Sequence, residues 1–103
     1  MKCNGFVPDL AMLMYLEKAR LALRITTHAF DDEIKDIIMA GWQEIKTRGV
    51  IMNENDPMII RAIMTYVRMH FGDPENPERL RESYETQLGQ LMTTTGYTEW
   101  GNV

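Results

Sequence analysis

Apolar positions recur at helical spacing in four blocks along this chain, each with its own start or stop signal. Leu13, Leu16, Ala19 and Leu23 repeat every three or four residues, which predicts a helix from about Pro8 to Leu23. Pro8 is tolerated in a first helical turn. Arg24-Ile25-Thr26-Thr27 reads as a loop, because β-branched residues cluster there. Asp31-Asp32-Glu33 opens a second helix, where acids suit both capping and the helix dipole. Ile34, Ile37, Ile38, Gly41, Trp42 and Ile45 then follow one narrow face, with Lys35, Asp36, Gln43 and Lys46 on the other. Glu44 and Arg48 stand four apart, a spacing suited to an ion pair, and Gly49 ends the helix.

Val50-Ile51-Met52, between Gly49 and Asn53, predicts a short strand or an extended loop, and alone it cannot make a sheet. Asp56 as cap and Pro57 as first residue open a third helix. Its apolar residues, Ile59, Ile60, Ile63, Met64, Tyr66, Val67, Met69 and Phe71, cover more than one face, which predicts a central helix contacted from several directions. Read to Gly72, it spans sixteen residues, about 24 Å. Asn76 and Pro77 start a fourth helix with Leu80, Tyr84, Leu88 and Leu91 as its stripe. Glu75–Arg79 and Arg81–Glu85 are spaced as pairs on its solvated side. Three threonines and Gly96 break the pattern after Met92. The expected architecture is all-α: a small four-helix bundle over residues 1–94, with an extended tail over 95–103.

A length of 103 residues allows one domain with one modest core. The net charge is −4, and no segment is strongly basic: residues 1–30 and 57–72 each carry +2. A grip on nucleic-acid backbone needs a basic footprint, so that role is disfavoured. Cys3 is the only cysteine and has no partner for an internal disulfide, which points to a reducing compartment. Residues 1–16 lack the charged-then-apolar order of a signal segment, and no run approaches a membrane span. The expected protein is soluble, intracellular where it is made, and not membrane-bound.

Candidate chemistry is thin. Asp31-Asp32-Glu33 fails the calcium-loop pattern, which wants Gly where Asp36 stands, and capping accounts for the acids. His28 and His70 lack neighbours at metal-ligand spacing. With one Ser, one Cys and two His, a nucleophilic set is improbable, and there is no Gly-rich phosphate loop. No catalytic residue, metal or cofactor is expected. Nine methionines fit either a flexible core or an adaptable surface. Trp42 reads as core, with a neighbouring-subunit contact as the alternative. The tail differs: nine residues cannot bury both Tyr97 and Trp100, so the rings either fold back onto the helices or hook onto a partner.

Taken in order, these stretches resemble the head–tail connector (adaptor) proteins of tailed bacteriophages, also known as head-completion or DNA-packaging proteins. The weaker half is Leu23-Arg24-Ile25, then Asp31-Asp32-Glu33-Ile34, Ile37-Ile38 and Trp42. The stronger half is Asp56-Pro57, Arg61-Ala62-Ile63, Tyr66-Val67, Phe71-Gly72-Asp73-Pro74, Glu78-Arg79-Leu80, Ser83-Tyr84 and Leu91-Met92, ending in Thr94-Thr95-Gly96-Tyr97. The likeness covers nearly all of residues 16–98. The stretch before Leu16 departs from it, being longer than in many relatives.

The resemblance implies a virion protein of the neck, made in the host cytoplasm. It would form a homo-oligomeric ring, usually a dodecamer, beneath the portal protein. The ring would extend the DNA channel without binding DNA specifically and present a surface to the stopper or tail-completion protein. A portal-binding tail would comprise Thr95, Gly96, Tyr97, Thr98 and Trp100. Trp42, Met64 and Met69 are candidates for the subunit interface. Val50, Ile51, Met52, Asn53 and Glu54 are candidates for a loop facing the channel or the stopper. A closed ring needs two different patches per subunit, and the third helix with the methionines is expected to supply them. The alternative is a small helical nucleic-acid-binding or regulatory protein, with Arg61 and Arg68 as the nucleic-acid contacts.

Overall fold

The computed structural model describes residues 9–93. Four helices follow in order: α1 Asp9–Leu23, α2 Asp31–Thr47, α3 Pro57–His70 and α4 Pro77–Thr93. No strand forms among the described residues, and the architecture is the small all-α four-helix bundle expected. α3 packs against the other three helices, α1 and α2 also pack on each other, and α4 leans chiefly on α3. The central position of α3 follows from its composition, with Ile59, Ala62, Ile63, Thr65 and Val67 all buried. Each fully buried Ile or Val adds about 1.5–3 kcal/mol of hydrophobic stabilisation.

Local signals explain most boundaries. The Asp56 carboxylate accepts a hydrogen bond from the Met58 amide at 2.9 Å, capping α3, with Pro57 in its first turn. α3 has 14 residues rather than sixteen. Phe71 has already turned to an extended conformation, and Gly72 follows at φ 64°. α2 buries Ile34, Ile38, Gly41, Trp42 and Ile45, with Ile37 half-buried. Gly41 has a packing reason: a Cβ there would stand 2.9 Å from Tyr66 Cδ1, so the missing side chain lets α3 come close. The α4 stripe is also as expected, with Tyr84, Leu88 and Leu91 buried, Leu80 half-buried and Gln87 buried beside them.

The α1 face differs from the expected one. Its buried side consists of Ala11, Tyr15, Leu16 and Ala19, whereas Leu13 is 61% exposed. α1 carries apolar residues on all sides, so spacing alone left its orientation open. Tyr15 decides it: the ring is fully buried against Trp42, at 6.3 Å between centroids, and its hydroxyl donates to the Glu54 carbonyl at 2.8 Å.

The acids that open α2 act differently from caps. Phe30 holds the N-cap position, and no side chain caps the helix. Asp31 instead accepts from Arg20 of α1 at 2.9 Å and from His28 at 3.1 Å, tying the two helices together. Partial burial works to raise the Asp31 pKa, but these hydrogen bonds and the neighbouring charges outweigh it and hold the carboxyl below its usual range. Asp32 and Glu33 remain exposed in the first turn, where the dipole favours them.

The expected i,i+4 ion pairs give way to contacts between helices. Arg48 reaches Glu85 of α4, with both nitrogens at 3.4 Å from its oxygens, and Glu44 accepts the Tyr84 hydroxyl. Burial, then the hydrogen bond and charge of Glu44, push the Tyr84 pKa far up, so the phenol keeps its proton. Among the described residues, neither Glu75–Arg79 nor Arg81–Glu85 forms. Glu75 precedes α4, outside the helical geometry that would align it, and Glu85 is taken by Arg48.

Candidate functional site

The stretch between α2 and α3 is a loop held from below. Val50 is 3% exposed and Met52 packs on the core, while the Glu54 carbonyl takes the Tyr15 hydroxyl. The Asn53 side chain accepts from the Asn55 amide at 2.9 Å, and its carbonyl accepts from Asp56 at 3.1 Å. Within the predicted set Val50 to Glu54, the side chains offered to solvent are therefore chiefly Ile51, 45% exposed, and Asn53.

Of the three predicted interface residues, Trp42 belongs to the core at 4% exposure and drops out of an interface set. Its indole Nε1 is buried with no hydrogen-bond partner among the described residues. Met64 and Met69 are half-buried and pack against the core from α3. The third helix packs against α1, α2 and α4. The predicted portal-binding residues Thr95, Gly96, Tyr97, Thr98 and Trp100 lie outside the described residues.

Two surfaces stand out instead; the first was not expected from the sequence, and the second takes in Arg61 and Arg68, the contacts of the alternative reading. The first is the outer side of α1. Leu10, Leu13 and Leu21 are 83%, 61% and 77% exposed. With Glu17 they follow one helical stripe, three or four residues apart. A helix apolar all round is the signal that could have found it; α3 has the same signal but is covered.

The second is a polar groove where the ends of α1 and α3 meet the start of α4. Its wider part has a volume of about 570 Å³ and is lined by Arg24, Arg68 and Arg79, with Phe71 and Glu75 among the other walls. A neighbouring hollow of about 370 Å³ shares Arg79 and Ser83 and adds Arg61, Glu82 and Gln87. Arg20 and Arg48 each have a carboxylate partner. Arg24, Arg61, Arg68 and Arg79 make no ion pair among the described residues. The four come from three separate stretches of sequence, so no local run of charge announces them.

Arg24 stands in an unusual backbone conformation. α1 ends in a Schellman motif, with Ile25 N donating to the Arg20 carbonyl at 2.9 Å and Arg24 N to the Leu21 carbonyl at 3.1 Å. This motif places Arg24 at φ 60°, the left-handed position that glycine normally fills. The cost for a side-chain-bearing residue is about 1–2 kcal/mol.

Groups that could perform covalent chemistry are scattered. His28 sits by Asp31, the His70 ring lies 4.2 Å from that of Tyr66, and Ser83 Oγ accepts from Gln87 Nε2 at 3.3 Å. Among the described residues no group of three or more His, Cys, Asp or Glu side chains could hold a metal ion, and no helix is long and apolar enough to cross a membrane. No protein-family model, curated protein or solved structure matches the chain. The fold alone does not carry a function.

Proposed function

We propose that this chain is a structural virion protein, a head–tail connector that builds a ring beneath the portal and joins it to the stopper or tail. The ordered stretches from Leu23-Arg24-Ile25 to Thr94-Thr95-Gly96-Tyr97 motivate this reading. The observation that carries it is the leucine stripe of α1, which holds the most exposed large apolar side chains among the described residues. Such a stripe on a small domain is the mark of a surface that another protein covers. A ring requires a second, different patch on each subunit. Ile51 of the α2–α3 loop and Met92 near the end of α4, 45% and 39% exposed, provide apolar surface for it. In this reading the segment after Thr94, with Tyr97 and Trp100, hooks each subunit to the portal.

A pull-down from a phage-infected or prophage-induced lysate tests the proposal. Tagged full-length protein is compared with a form ending at Thr94, and captured proteins are identified by mass spectrometry. Capture of a portal protein by the full-length form alone supports both the connector role and the tail mechanism. Capture of no virion protein by either form defeats the connector reading. The competing reading, a small nucleic-acid-binding protein, draws on the unpaired arginines, including Arg61 and Arg68. A gel shift with duplex DNA that weakens steeply with salt would favour it.

A further inference from the structure

Three features of the groove beside α4 go beyond a solvated face. Arg79 is the third residue of α4, at the positive end of the helix dipole, where a cation is disfavoured. Arg24 holds a left-handed backbone position at the rim. Gln87, 8% exposed, lines the narrower part, and its Oε1 has no hydrogen-bond partner while Nε2 donates to Ser83. Whichever way that amide is turned, one of its two polar atoms is left unsatisfied among the described residues. Arg68 has an ordinary structural reason for its place, since the last turn of α3 favours a cation. That reason does not extend to Arg79. Local preferences broken together at one place mark a site under another demand.

We infer that this groove is a docking site for an acidic, extended peptide segment of a partner protein. Its carboxylates would pair with Arg24, Arg68 and Arg79 in the wider part, where guanidinium groups give charge-assisted, two-pronged hydrogen bonds. Its backbone would run on past Ser83 beside Gln87, with Arg61 at the far wall. The lining decides between a peptide and a nucleic acid. Glu75 and Glu82 stand in the same groove, and these acceptors need N–H donors, which a phosphate backbone lacks. A peptide offers N–H donors as well as acceptors and satisfies both kinds of group. The inference stands whether or not the chain builds rings.

Fluorescence anisotropy with the full chain tests this. The probes are a labelled peptide of Ser-Glu repeats, its Ser-Gln counterpart, and single-stranded and duplex oligonucleotides of matched charge. The acidic peptide should bind, weakening between about 50 and about 300 mM salt, and the neutral one should not. Arg79→Gln and Arg68→Gln should each weaken binding about tenfold. Arg81→Gln removes the same charge from an α4 position outside the groove and should leave the affinity unchanged. The side-chain amide resonances of Gln87 should shift during the titration. No binding of the acidic peptide, equal weakening by Arg81→Gln, or preference for an oligonucleotide over the acidic peptide would overturn the proposal. All three arginines are exposed, and a circular-dichroism melt confirms that each variant is folded.

Discussion

α1 and α2 are helices of similar length, 15 and 17 residues, but they use their apolar residues differently. α2 concentrates them on one stripe and turns most of that stripe inward: Ile34, Ile38, Trp42 and Ile45 are all under 5% exposed, with Ile37 half-buried at its edge. α1 is richer in apolar residues and buries only one side, leaving Leu10, Leu13 and Leu21 in solvent. A helix with one narrow stripe serves its own subunit. A helix with more apolar surface than the core can cover has surface left for something outside it.

The largest effect expected within this comparison is on the α2 side. Ile38→Ala empties a fully buried site and should cost about 3 kcal/mol in urea unfolding. A loss under about 1 kcal/mol would mean that the α2 face is not packed as described. The glycines of α2 and α4 should respond in opposite directions. Gly41→Ala drives a methyl into the Tyr66 ring, which is itself packed against His70 and Tyr84; it should destabilise by about 1–2 kcal/mol. Gly89→Ala meets nothing within 4 Å and should stabilise by about 0.5–1 kcal/mol. The helix ends differ in the same sense. α2 closes on Gly49 at φ 96°, whereas α1 closes on Arg24 at φ 60°. Arg24→Gly should therefore raise stability by about 1 kcal/mol, while weakening any ligand of the arginine groove.

The link between the two helices carries a pH dependence. The Asp31 carboxyl is held below its usual range by its hydrogen bonds to His28 and Arg20, which outweigh the opposing effect of burial. Its stabilising contribution is present above the unfolded-state pKa and is lost as pH falls through the lower folded-state value. Arg20→Gln should reduce this acid-side loss, and an unchanged pH profile in thermal melts would argue against the link. The smallest effect on stability belongs to the α1 stripe. Leu10→Gln, Leu13→Gln and Leu21→Gln should each shift stability by no more than about 0.5 kcal/mol. Combined, they should abolish self-association in sedimentation runs if the stripe is a ring contact.

Much of the fold was legible because it is local. The Asp56-Pro57 start of α3 and the single stripe of α2 are short-range signals, and each appears where the pattern predicts it. The ion pairs differ from expectation for the complementary reason. Spacing shows which side chains can meet on one helix, but a neighbouring helix offers better partners: Tyr84 takes Glu44, and Arg48 takes Glu85. Trp42 is core, as its position on the α2 stripe predicts, yet its place against Tyr15 depends on how α1 is turned. Arg61 and Arg68 stand out on α3 in the sequence, but the groove they share with Arg24 and Arg79 could not be assembled from it, since its walls come from α1, α3 and α4.

The sequence by itself determined four helices, nearly all their boundaries, and α3 as the central one, because capping residues, prolines and apolar periodicity act over a few residues. Only the tertiary structure decided which side of α1 faces solvent, which charges pair, and which arginines share a groove. Those outcomes depend on distances between residues far apart in the chain, and periodicity along one helix holds no information about its neighbours.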